Sequence, residues 1–136
     1  MTFPFNPSSG TISVVARFVG PLGTSRIVLC LDTGATGTTI AASYLIAAGY
    51  NPSQFSDPLP LATAGGIVYA PRLTVPAFEA LGVIRMNYPV FAHTLPIPSG
   101  ADGLLGLDFF DGHVLTLDFI NGQITLAPGS PAGPTP

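Results

Sequence analysis

The chain has no lysine and no tryptophan, and Lys, Arg, Asp and Glu together make up only 8% of its 136 residues. An average domain carries about 25%. Four arginines against seven acidic residues leave a net charge of −3, so there is no basic footprint for nucleic acid. Cys30 is the only cysteine, which excludes an intrachain disulfide. Its place between Leu29 and Leu31 reads as a strand position where a thiol packs as a small hydrophobe; a redox role is the other reading. No apolar run reaches the 18 residues that suggest a membrane span, and the N-terminus has no basic region followed by an apolar stretch. The compartment stays open, and a domain of a longer, anchored or exported protein is one reading.

What the chain does have is apolar and turn-forming. Hydrophobic residues are 47%, with 16 Gly and 15 Pro, a composition of short strands and many turns. The length fits one domain that buries about two-thirds of its unfolded surface. With so few charges, some apolar surface is expected to be covered by a second copy of the chain.

Along the sequence, residues 1–10 are Pro-, Ser- and Asn-rich and read as an N-terminal arm or linker. Thr11 to Val19 places Ile12, Val14, Ala16 and Phe18 on one face of a strand. Gly20-Pro21-Leu22-Gly23 turns the chain, and Ser25 to Leu31 runs back as a second strand. Extended residues from Thr38 lead to a helix over 41–48 that stops at Gly49, and Asn51 to Pro60 reads as loop. Leu61 to Ala70 is a hairpin with Gly65-Gly66 supplying positive φ at its tip. Strands over 72–75 and 83–90 follow, the first flanked by Pro71 and Pro76 and so expected near a sheet edge. A one-turn helix over 107–111 and a hairpin around Asn121-Gly122 complete the domain over 11–127. Residues 128–136 lose periodicity and are expected to be a disordered Pro/Gly-rich tail.

The most informative stretch is Leu29-Cys30-Leu31-Asp32-Thr33-Gly34-Ala35-Thr36, an apolar strand delivering a carboxylate into a sharp turn. An isolated charge among such neighbours is expensive, so Asp32 needs a partner or a proton. Downstream stand Asp102-Gly103-Leu104-Leu105-Gly106-Leu107-Asp108-Phe109-Phe110 and the Asn121-Gly122 hairpin. Leu31 to Ala35 resembles the active-site signature of aspartic proteases, and the downstream elements are similar to those of retroviral and retrotransposon proteases. The chain therefore resembles the half-sized, retropepsin-like family, with a composition more bacterial than viral. The resemblance covers about residues 12–127.

That resemblance implies an all-β, closed barrel (an acid-protease half) with one short helix, acting as a homodimer on polypeptide substrates without metal or cofactor. Asp32 is the implied catalytic residue, supported by Thr33, Gly34 and Ala35. Thr33 would interlock with the opposite subunit, although a hydroxyl residue there also suits a solvent-facing strand. Ala64, Gly65, Gly66 and Ile67 would form the tip of a flap over substrate, or else an ordinary hairpin turn; Val68 and Tyr69 would then face substrate. Leu104, Leu105 and Gly106 would support the site from behind. Asp108 and Asp111 read as helix caps, Asp102 as bonded to local backbone or to Arg17 or Arg26, and His93 and His113 lack metal-ligand spacing.

Carboxylate-only peptide hydrolysis needs two acids close together, and the chain has one Asp-Thr-Gly. An endopeptidase reading therefore demands one Asp32 from each of two subunits. The alternative is a non-catalytic dimerising or peptide-binding module with the same fold. A third reading is a small barrel that carries apolar ligands.

Overall fold

The computed structural model describes residues 1–94, 97 and 100–129; of the disordered tail expected over 128–136, Pro128 instead ends the last strand and residues 130–136 lie outside the described residues. Eleven strands are present among the described residues: β1 (Thr2–Pro4), β2 (Ser13–Gly20), β3 (Gly23–Leu31), β4 (Thr39–Ala41), β5 (Leu59–Thr63), β6 (Gly66–Ala70), β7 (Arg72–Ala80), β8 (Val83–His93), β9 (Gly103–Leu105), β10 (His113–Asp118) and β11 (Gln123–Pro128). Helix α1 spans Ala42–Ala47, and short 3-10 turns occupy Pro52–Gln54 and Leu107–Phe110.

Six strands close a barrel in the order β2-β3-β9-β4-β8-β7. The alternation expected on β2 holds in space: Val14, Ala16 and Phe18 are buried while Val15 between them is exposed. The core joins these to Ile27, Leu29, Val75, Phe78, Val90, Leu105 and Phe109. Phe78 contacts Tyr88 at 4.9 Å between ring centroids and meets Phe109 edge-on at 5.6 Å. Each fully buried side chain of this size contributes about 2–3 kcal/mol of transfer free energy. Among the described residues no helix is long and apolar enough to cross a membrane.

Two sequence-based expectations change. The strand beginning at Arg72 is no edge: β7 pairs with β8 from Arg72 to Ala80 and with β2 over Phe78–Ala80. It continues through Pro76 because β2 reaches β7 only beyond it, so the missing N–H faces no ladder partner there. Residues 2–4 of the N-terminal segment form a strand rather than loose chain, since β1 pairs antiparallel with β11. The resulting sheet, β1-β11-β10, is held at one end by the edge-on contact of Phe5 with Phe119, 5.2 Å between centroids.

The arrangement around β9 places the site. β3 runs parallel to β9, and β4 returns antiparallel on its other side. Residues 32–38 must therefore arch over the end of β9. That crossing has no room for side chains. A Cβ on Gly103 would strike the Thr39 carbonyl, and one on Gly106 would strike the Gly37 carbonyl.

Candidate active site

Asp32 stands where β3 ends, half-buried, with Thr33 and Gly34 exposed beside it and Ala35 fully buried. The turn is tight: the Ala35 N–H donates to the Asp32 carbonyl at 3.2 Å. The Gly34 N–H donates to Asp32 Oδ1 at 2.8 Å, a charge-assisted bond that orients the carboxylate. A Cβ at position 34 would lie 3.1 Å from that oxygen and 3.4 Å from Ala64 Cβ. Glycine here thus keeps both the carboxylate and the neighbouring hairpin in place.

Behind the turn, three consecutive residues grip it. The Leu105 carbonyl accepts from Asp32 N–H at 3.0 Å, Gly106 N–H donates to Thr38 Oγ1 at 3.2 Å, and Leu107 N–H donates to the Ala35 carbonyl at 2.8 Å. Leu104 and Leu105 divide their roles by strand alternation. Leu105 is fully buried beneath the turn, whereas Leu104 faces the cleft beside Asp32, a departure from the expectation that both pack behind it.

In front, the β5–β6 hairpin reaches over Asp32. The two enclose a cleft of about 310 Å³, to which Asp32, Thr63, Ala64, Gly65, Val68 and Leu104 contribute. Ala64 and Gly65 form its rim, while Gly66 and Ile67 are exposed and lie outside it. Of the expected glycine pair only Gly66 has positive φ, at 117°. Val68 lines the cleft. Tyr69, one residue on, does not reach the cleft; it borders an adjoining groove with Ile46 and Phe55, which Val68 also lines. Thr39, His93 and Ile97 also line the cleft; the sequence raised only His93, as a residue without metal-ligand spacing, and it is the pairing of β4 with β8 that brings Thr39 and His93 there.

The other acidic residues are placed differently from expectation. Asp108 caps nothing: the 3-10 turn over Leu107–Phe110 starts at Gly106 without a side-chain cap. Its Oδ1 accepts instead from Thr38 Oγ1 at 3.0 Å and Tyr88 OH at 2.8 Å. Burial, the largest effect, pushes the Tyr88 phenol well above its ordinary range, which keeps it a donor. Asp111 likewise makes no side-chain cap; its carbonyl accepts from Arg85 at 2.7 Å. Asp102 accepts from Val28 N–H at 2.8 Å, far along the chain and with no arginine; Arg17 pairs with Glu79 at 3.6 Å. His113 Nδ1 is 2.9 Å from the Asp111 carbonyl. The thiol of Cys30 is raised above its ordinary value, first by burial and then by the charge of Asp32.

A closed barrel whose Asp-Thr-Gly turn lies under a hairpin, arched over a crossing strand, defines the retropepsin-like class. The fold is similar to the crystal structure of a retropepsin-like aspartic protease from Rickettsia conorii, with a TM-score of 0.66 and 18% identity over 93% of this chain and 91% of that one. No curated protein matches the chain by sequence at a significant level. The aspartyl protease family profile matches residues 16–109, and the chain belongs to that family.

Proposed function

We propose that the protein is an aspartic endopeptidase that cuts extended polypeptides as a homodimer, with Asp32 of each subunit forming the catalytic pair. The observation that carries this reading is the orientation of Asp32 by the Gly34 N–H at the floor of a hairpin-covered cleft. Asp32 is the one acid among the described residues lining that cleft, so the second carboxylate has to come from another subunit.

Two carboxylates a few ångströms apart hold one proton between them, behaviour for which aspartic proteases are the type case. The ionised Asp32 takes a proton from water as its oxygen adds to the scissile carbonyl. The protonated partner donates to the carbonyl oxygen. Collapse of the tetrahedral intermediate breaks the C–N bond as a proton passes to the leaving nitrogen. Thr33 and Gly34, exposed at the turn, are suited to contact the second subunit. Leu61, Val68, Ile97 and Leu104 along the cleft favour apolar substrate side chains, and the hairpin acts as the flap.

The test is Asp32→Asn. Its carboxylate is half-exposed and bonded only to the turn, so the variant should fold and associate like wild type, with Tm within about 3 °C. Cleavage of an unfolded protein such as reduced casein should fall by about a thousandfold or more. Wild-type activity should be greatest at mildly acidic pH and decline as the shared proton is lost. A dimeric wild type that cuts nothing points to the non-catalytic peptide-binding module, and a monomer to neither.

A further inference from the structure

The Thr38 hydroxyl is fully buried and stands at a junction of three polar groups. It accepts from Gly106 N–H at 3.2 Å, lies 2.8 Å from Tyr88 OH, and reaches Asp108 Oδ1 at 3.0 Å. Tyr88 OH donates to the same Asp108 oxygen at 2.8 Å. Two hydroxyl protons thus serve three oxygens, and the direction of the network depends on which oxygen can only accept. An ionised carboxylate has acceptor sites alone. With Asp108 in that role, the Thr38 and Tyr88 protons run towards it, and the Thr38 lone pairs remain turned to Gly106.

Gly106 is the middle of the three residues that grip the catalytic turn. Its neighbours Leu105 and Leu107 hold Asp32 N–H and the Ala35 carbonyl, at 3.0 Å and 2.8 Å. Asp108 follows immediately on the same segment. We infer that Asp108 is a positioning residue for the Asp32 turn: by terminating the Thr38–Tyr88 network it holds residues 105–107 at the distance that fixes the Asp32 and Ala35 backbone. The inference rests on Asp32 being the reacting carboxylate. A turn displaced by about 1 Å can lose a hundredfold in rate while binding substrate normally.

The experiment pairs a structural readout with a kinetic one, on Asp108→Leu, Asp108→Asn and Tyr88→Phe in the full-length dimer. The leucine variant strands two buried hydroxyls, whereas the asparagine keeps an acceptor oxygen and a nearly identical shape. Amide hydrogen exchange at Asp32, Gly106 and Leu107 should speed up about tenfold or more in Asp108→Leu, with protection in β2, β3 and β7 retained. The kcat for a peptide substrate should fall at least about tenfold with KM within about twofold. Asp108→Asn should restore most of both, and Tyr88→Phe should lie between. If Asp108→Leu does not fold, the same exchange and kcat changes, of smaller size, are required of Tyr88→Phe. Unchanged exchange at those three amides overturns the inference, as does faster exchange with kcat unaltered. Wild-type protein that cuts no substrate overturns the peptidase reading instead, and the exchange data still decide whether Asp108 holds the turn.

Discussion

Thr36 and Ala62, 26 positions apart, hold each other through both backbone and side chain. The Thr36 N–H donates to the Ala62 carbonyl at 3.0 Å, the Ala62 N–H donates to Thr36 Oγ1 at 3.2 Å, and Oγ1 is 3.4 Å from that carbonyl. The far end of the Asp32 turn is therefore anchored to β5 one residue pair from the tip of the β5–β6 hairpin. Thr36→Val keeps the backbone bond and removes the others. It should cost about 1 kcal/mol and raise KM several-fold through a looser hairpin. Denaturant unfolding and peptide kinetics would check this; an Ala62 amide as slow to exchange as in wild type would show that the hydroxyl anchors nothing.

Two glycines near the cleft should respond oppositely to the same methyl group. Gly65 has no φ in the left-handed region, and its added Cβ would meet only Thr63 Oγ1 at 3.9 Å. Gly65→Ala should therefore change stability by no more than about 0.5 kcal/mol. Gly106→Ala drives a Cβ into the Gly37 carbonyl and within 3.0 Å of the Ala35 carbonyl, both backbone atoms that cannot swing away. A loss of about 3 kcal/mol or more is expected. Equal midpoints for the two variants in urea would contradict the crossing geometry.

Cys30 offers a reporter of the charge on Asp32. Burial is the first cause of its raised pKa and the Asp32 carboxylate the second, so thiolate should form only above the ordinary value of 9.0. Alkylation by iodoacetamide, which follows the thiolate, should accordingly be slow at neutral pH and rise late in a pH series. In Asp32→Asn one cause of the shift is gone while burial remains. The alkylation profile should move to lower pH without reaching that of a free thiol. Superimposable wild-type and Asp32→Asn profiles would mean that the two groups do not interact.

Much of this fold was legible without coordinates because its signals are local. The alternation on β2, the stop at Gly49 (φ 102°) and the Asn121-Gly122 turn (Gly122 φ 65°) are properties of a few adjacent residues. So is Asp32 at the end of an apolar strand. The β7 misreading has a long-range cause: Pro76 signals an edge, but which strand faces its missing N–H depends on where β2 meets β7. Asp108 misled for the same reason. Its position in a short helix suggests a cap, while its partners Thr38 and Tyr88 are brought to it by the packing of β4, β8 and the segment after β9.

By itself the sequence determined most of the strands, though not β1 or β9, along with the turns, the Asp-Thr-Gly element and Gly106 behind it, because φ preference and side-chain alternation act between near neighbours. Only the tertiary structure decided that Leu104 faces the cleft and Leu105 the core, that Val68 rather than Tyr69 overlooks Asp32, and that Thr36, Thr38 and Asp108 brace the turn. Those outcomes depend on the register of β9 between β3 and β4. Register is set by burying one whole face of a sheet at once, a balance over the entire barrel that no short segment carries.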